Sequence, residues 1–378
     1  MKHDAIAALQ AGVLSGTTLQ WPFDDDAERV ERFVERCRSD GLGPLVHHLL
    51  AKAGAGRDWP DLVRAGLAAD AHAHVAWDLL REREIVKVLE RFAGAGIEVV
   101  LLKGTPLAYT HYAEPSLRTR SDTDMFIRAS DRTRAAELMR AAGYARVHGV
   151  EGELVSYQES FHRRDAQIDH IFDLHWQVNN GQVFAQALPF DEALAHAVPV
   201  PALGPKAKTL SSPYALLLAC MHRAAHLGVD GPQSERLVWL YDIALLARAM
   251  TDAEWDRFVQ LCVAKRMRAV SSDALAATTD LIGIAVPERV RAALVSPGPR
   301  EASAIYLDGA SRAILFTNLS ALPSWRARAA LMREVAFPPS AYMLEKYATQ
   351  RRWLLPWLYA RRIGTGVAKA FGDKISAR

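Results

Sequence analysis

Val99-Val100-Leu101-Leu102-Lys103-Gly104-Thr105, followed by Arg118-Thr119-Arg120-Ser121-Asp122-Thr123-Asp124-Met125-Phe126-Ile127, decides how this chain is read. An apolar, β-branched run that ends in Lys-Gly-Thr is a buried strand entering a turn. In the second stretch Asp122 and Asp124 are one residue apart at the start of another apolar strand. The pleat sends both to one side, with Cα atoms roughly 6.6 Å apart. Such a pair suits a site that holds two divalent cations about 3.5–4 Å apart around a reacting phosphate. A third carboxylate, Asp173, falls in a later strand-like run from Ile168 to Trp176.

Outward from this centre the pattern becomes helical. Before it, Leu45-Val46 with Leu49-Leu50, and Val75, Leu79-Leu80, Ile85 and Leu89, recur mostly at three- and four-residue spacing. Gly41-Leu42-Gly43-Pro44 and Trp59-Pro60 punctuate these helices, and a long helix over Asp61 to Phe92 stops at Gly94-Ala95-Gly96. Within the centre the sequence predicts a short helix near Pro106 to Tyr112 and another from Asp131 to Ala142. Strands are predicted over Tyr144–Val147, Leu154–Tyr157 and Ile168–Trp176. After Pro213 the chain is helical again, through Leu216-Leu217-Leu218 and Leu237 to Met250. The expected class is α+β: a small mixed sheet at 93–200, an N-terminal helical region at 1–92, a helical region packing on the core at 201–300 and a basic helical region at 301–378.

Composition narrows the function classes. The 378 residues suffice for a sizeable core, and 50% hydrophobic with 24% charged residues is ordinary for a globular protein. No apolar run approaches a membrane span, the N-terminus lacks a secretory layout, and Cys37, Cys220 and Cys262 have no metal-ligand spacing. The expectation is a cytoplasmic protein with reduced, buried thiols. There is no Gly-x-x-x-x-Gly-Lys-Ser/Thr loop and no nucleophile elbow, so P-loop ATPase and α/β-hydrolase readings have no support.

A strand ending in a glycine turn, then Asp-x-Asp, then a distant strand aspartate resembles the DNA polymerase β-type nucleotidyltransferases. The closest likeness is to their bacterial, largely uncharacterised branch, through Leu102-Lys103-Gly104, Arg118 to Asp124 and Asp173-Leu174-His175-Trp176. The resemblance implies transfer of an NMP group from an NTP to a hydroxyl of a small molecule, a peptide or an RNA end. It implies Asp122, Asp124 and Asp173 as ligands of two Mg²⁺ ions. Lys103, Gly104, Thr105, Arg118, Arg120 and Ser121 become the expected contacts of the triphosphate, through backbone N–H groups at a helix start and through basic side chains. The alternative is a fold of this type without chemistry, a binding module acting through its helical flanks. Retention of all three carboxylates favours the enzyme.

Other features are weighed beside this reading. Asp169 shares a strand face with Asp173 by counting in twos, and the resemblance favours Asp173. His175 shares that face too, most simply as a hydrogen-bonding neighbour. His222 and His226 have the i, i+4 spacing of a zinc pair, but no third ligand accompanies them, so a helix packing on the cleft is the better reading. Asp242, in Trp239-Leu240-Tyr241-Asp242, reads as a structural acid. From Trp325 onward eleven Lys and Arg face three acids, interleaved with Trp325, Tyr342, Trp353, Trp357 and Tyr359. This tail suits a polyanionic partner more than a membrane, because Pro356 should interrupt a long amphipathic helix. The plainer alternative is a terminal helix whose aromatics pack on the core.

Overall fold

In the computed structural model residues 4–372 are described, apart from 24–26, 148, 151, 166–167, 232–233, 297 and 310. One mixed sheet organises the molecule. Its strands are β1 (Val100–Leu102), β2 (Thr123–Phe126), β3 (Ala145–Arg146), β4 (Gln158–Arg164), β5 (Asp169–His175), β6 (Ala197–Pro199) and β7 (Lys208–Leu210), in the order β3-β4-β5-β2-β1-β7-β6. β1 and β2 are antiparallel, whereas β2 runs parallel to β5 and β1 parallel to β7. The fold is α+β with helical flanks, and the sheet extends past residue 200 because β7 pairs with the central β1.

Alternation along β1 and β2 gives the sheet two buried faces. Leu101, Met125 and Ile127 point to one face, where Ile85, Val88, Leu89 and Phe92 of the long helix Asp61–Gly94 cover them with Ala135 and Met139 of the helix Arg132–Ala141. Val100, Leu102 and Phe126 point to the other face, into a larger core shared with the helices Ser212–Asp230 and Leu237–Ala249. That core also takes in Phe33, Leu45 and Val63 of the N-terminal helices, so the two flanks meet over one face of the sheet. Asp124 has the parity of Phe126 and therefore faces this side.

One strand is displaced from its expected place. Leu154–Tyr157 is not assigned to the ladder; the N–H groups of Leu154, Val155 and Tyr157 are satisfied by side chains instead. Glu334, on the helix Trp325–Ala336, accepts N–H bonds from Glu153, Leu154 and Val155, and Asn180 accepts one from Tyr157. The strand forms just beyond, over Gln158–Arg164, where the whole length pairs with β5 and only Phe161 is buried. Ladder pairing carries β4, so it has no apolar alternation to betray it.

The C-terminal region also departs from expectation. Pro356 lies in the first turn of a helix running Leu355–Gly372, where its missing N–H costs nothing, so it does not interrupt that helix. Leu358 is buried, Tyr359 donates to the Pro338 carbonyl and Arg362 to the Val335 carbonyl, which fastens the helix to the two before it. Trp325, Trp353 and Trp357 nevertheless stand exposed, the first two at about 70%. No helix among the described residues is long and apolar enough to cross a membrane. The three cysteines are buried and free.

Candidate active site

The site is assembled by register. Parallel pairing of β2 with β5 sets Asp124 opposite Asp173 and Phe126 opposite His175. Period-two alternation then turns Asp124, Asp173 and His175 to one face, with one ligand atom from each within 4.8 Å of the others. Asp173, not Asp169, occupies this position: Asp169 is at the exposed start of β5, bonded to His162 at 2.7 Å. Asp122 precedes β2 and lies outside that three-residue cluster, although it lines the same cavity as Asp124.

The turn after β1 brings a cation to these acids. Lys103 has φ +57°, a region that a residue with a Cβ adopts at a cost of about 1–3 kcal/mol. The conformation aims its ammonium at Asp124 Oδ1, 2.6 Å away, and His175 Nε2 lies 2.7 Å from the same oxygen. Next to it, Gly104 admits Arg118: a Cβ there would meet the guanidinium at 3.0 Å. Thr105 is buried and donates to the Asp122 carbonyl at 3.2 Å, so it fixes the loop that carries the acid rather than facing the cavity.

The three carboxyls differ in charge environment. Burial alone raises the Asp124 carboxyl, but the Lys103 ammonium and the bond to His175 outweigh it and hold it far below the usual range. Burial, with Asp124 and Asp173 as neighbours, pushes Asp122 up to about 6. Burial also raises Asp173, against the opposing pull of the Ser160 hydroxyl paired across from it on β4, and Gln158 donates to its Oδ2 at 3.3 Å. Its Oδ1 is buried with no hydrogen-bond partner among the described residues. A buried carboxylate oxygen left unpaired is costly, and a bound cation is the ordinary remedy. The Asp124 and Asp173 oxygens, with the His175 nitrogen, are a donor set that could hold a divalent metal ion.

The two arginines expected at the triphosphate are already neutralised. Arg118 makes a fork-like pair with Asp242, Nε to Oδ1 at 2.9 Å and Nη2 to Oδ2 at 2.8 Å, and Tyr112 donates to the same carboxylate. Arg120 pairs with Asp78 on the long helix, reaches the Tyr109 hydroxyl at 3.0 Å and lies over the Tyr109 ring. Both line the cavity, but their charge is used to lock the Arg118–Asp124 loop against its neighbours. Ser121 is exposed at the cavity edge.

Arg81 was not singled out by the sequence. It is half-buried on the helix Asp61–Gly94, lines the cavity and has no hydrogen-bond or ion-pair partner among the described residues. Burial, then the neighbouring Arg120 charge, lowers its pKa, and an anion beside it would reverse both effects. No local motif marks this residue; only its position over the cavity does.

That cavity holds about 480 Å³ and lies between the flanks, with Asp122, Asp124 and Gly104 from the core and Arg38, Arg81 and Arg236 from the helices around it. His222 and His226 also line it. Their rings pack on each other at 4.6 Å and on Trp239 at 5.0 and 4.8 Å, with His226 beside Asp230. Burial, reinforced by Lys103, keeps His222 neutral. No curated protein matches the chain. The family described as uncharacterised nucleotidyltransferase matches residues 26–283, which takes in the sheet, the cavity and both helical walls, and the chain belongs to that family.

Proposed function

We propose that this nucleotidyltransferase is Mg²⁺-dependent, of the polymerase β type, and moves an NMP group from an NTP to a hydroxyl acceptor. The observation that carries the reading is the in-register Asp124–Asp173 pair with its unpartnered buried oxygen on Asp173, beside a cavity rich in basic side chains that Asp124 lines. In the reaction the acceptor oxygen bonds the α-phosphorus, the bond from that phosphorus to the bridging oxygen breaks, and pyrophosphate leaves. The acceptor proton passes to solvent water as the new bond forms.

Asp122 and Asp124 would hold the cation on the triphosphate side, and Asp173 would complete the one on the acceptor side. Mg²⁺ supplies neutralisation of the phosphate oxygens and a more acidic acceptor hydroxyl. The chain's own contribution is placement and charge. Lys103 and His175 fix Asp124, Gln158 fixes Asp173, and Thr105 fixes the Asp122 loop. Arg81, together with Lys103, faces the β- and γ-phosphates; Arg118 and Arg120 hold the walls. Lys103→Ala should accordingly weaken NTP binding more than NMP binding.

Thermal denaturation with Mg²⁺ and each NTP, singly and together, tests the proposal. A ligand that binds only the folded protein adds about 2.7 kcal/mol at a hundredfold excess over Kd. Stabilisation that requires metal and nucleotide together is expected. If no Mg²⁺–NTP combination raises the melting temperature, the nucleotide site is not where it has been assigned.

A further inference from the structure

A second cavity, of about 320 Å³, shares Lys103, His222 and His226 with the first and is lined besides by His175 and Gln158, which bond Asp124 and Asp173. We infer that it is the acceptor pocket, and that it takes a neutral, oxygen-rich small molecule, a sugar or a polyol. The inference rests on the nucleotidyltransferase reading above and names the acceptor class that reading leaves open.

Position is the first argument. In-line transfer needs the incoming oxygen and the leaving pyrophosphate on opposite sides of the phosphorus. The basic cavity is lined by Asp122 and Asp124, and the second by Gln158, which bonds Asp173, and His175, which bonds Asp124, so the second cavity adjoins the acid assigned to the acceptor. Gln158 ties the second cavity to the chemistry directly. Tyr157 N–H donates to Asn180 Oδ1, Asn180 donates to Gln158 Oε1 at 3.4 Å, and Gln158 donates to Asp173 Oδ2. This chain of amides holds one oxygen of Asp173 and leaves the other to a ligand.

The lining chemistry gives the class. Asn179 uses its oxygen to accept from Gly181 N–H at 2.8 Å, and Asn318 uses its oxygen to accept from the Tyr306 hydroxyl at 2.8 Å and from Val183 N–H. Those donors fix which end of each amide is oxygen. The NH₂ groups of both have no partner among the described residues, so they are donors left for ligand oxygens. Gly181 makes room for this arrangement, since a Cβ there would come within 2.6 Å of the Tyr306 hydroxyl. Val178, Ala225 and Ile314 add apolar wall suited to the C–H faces of a sugar ring.

An RNA end is a poorer fit. Recognition of single strands uses basic side chains along the phosphates and open aromatic faces for the bases. Lys103 is the pocket's one Lys or Arg among the described residues and is engaged by Asp124; the Tyr306 ring is 1% exposed. The volume is at the small end for ligand pockets, which suits a single small molecule.

Saturation-transfer NMR on the full chain, with Mg²⁺ and a non-hydrolysable NTP analogue present, tests the inference. The probes are glucose, galactose, mannose, N-acetylglucosamine, glycerol and ribitol, set beside a trinucleotide RNA and a serine-containing peptide. At least one sugar or polyol should receive saturation from the protein, and Asn318→Leu should remove it. In turnover, Asn318→Ala should raise the KM for that compound about tenfold, the loss expected for one hydrogen bond. Saturation of the RNA or the peptide instead, or of no neutral probe, overturns the inference, and the wild-type panel alone decides this. Binding of the NTP analogue, read in the same tubes, reports separately on the nucleotidyltransferase reading: bound analogue without a bound sugar or polyol sinks the acceptor class only.

Discussion

The wall behind Gly104 and the surface facing the cavity are built from the same residue types, used in opposite ways. In the wall, Arg118 meets Asp242 and Tyr112, and Arg120 meets Asp78 and Tyr109, so both guanidinium charges are paired although Arg120 Nε itself is left without a bond among the described residues. Beside the cavity, the guanidinium of Arg81 and the buried Oδ1 of Asp173 have none among the described residues. A buried charge without a partner is costly, so charges completed by the protein build the site and charges left incomplete mark where a ligand completes them. On the function proposed above, this criterion assigns the motif's own arginines to the scaffold and Arg81, from a distant helix, to the nucleotide.

The largest effect should come from breaking the wall. Asp242→Asn strands the Arg118 guanidinium in the interior and should cost about 3–5 kcal/mol in urea denaturation. If stability barely changes while NTP affinity collapses, Arg118 belongs with the cavity and the comparison inverts. At the cavity, Arg81→Ala should weaken Mg²⁺–NTP binding about 10- to 100-fold, as for loss of a charge-assisted contact, with little change in the urea midpoint. Calorimetric titration and denaturation of the same preparation separate the two outcomes.

The acid pair sharpens the contrast by sign. Asp122 has its folded pKa raised from 3.8 to about 6, so the stability it contributes is present below its unfolded value and is lost as pH rises through about 6. Asp122→Asn should therefore make the metal-free protein more stable at neutral pH, by roughly 1–3 kcal/mol, and should flatten that part of its pH profile. Asp124 is lowered, so its contribution is present above its unfolded value and is lost as pH falls. Asp124→Asn should destabilise at neutral pH because Lys103 loses its counter-charge. Melting curves of both variants across pH 4 to 8 in chelator would contradict the assignment if they moved the same way.

Much of this centre was legible along the chain because it is local. Asp-x-Asp at a strand start needs only the period of two, and the Lys103–Gly104 turn announces itself by residue type. Asp173 over Asp169 required the β2–β5 register, which alternation within one strand does not contain. The ion pairs of Arg120 and Arg118 were not legible because their partners are 42 and 124 residues away, and no local pattern reveals a pairing at that distance. Arg81 and Gln158 are ordinary polar residues of a helix and a strand whose meaning comes from what they face. β4 escaped for a related reason: its backbone pairing, and not an apolar face, makes it a strand.

The central claim is that Asp173 completes a metal site for nucleotidyl transfer. Its most direct test is pyrophosphate release from NTP in Mg²⁺ with a small-molecule cell extract as the acceptor source, comparing the wild type with Asp173→Asn. The account predicts metal-dependent release that falls about a thousandfold or more in the variant, with Mg²⁺–NTP binding kept within a few-fold. Release by Asp173→Asn within a few-fold of the wild type, or release unaffected by chelator, would contradict it.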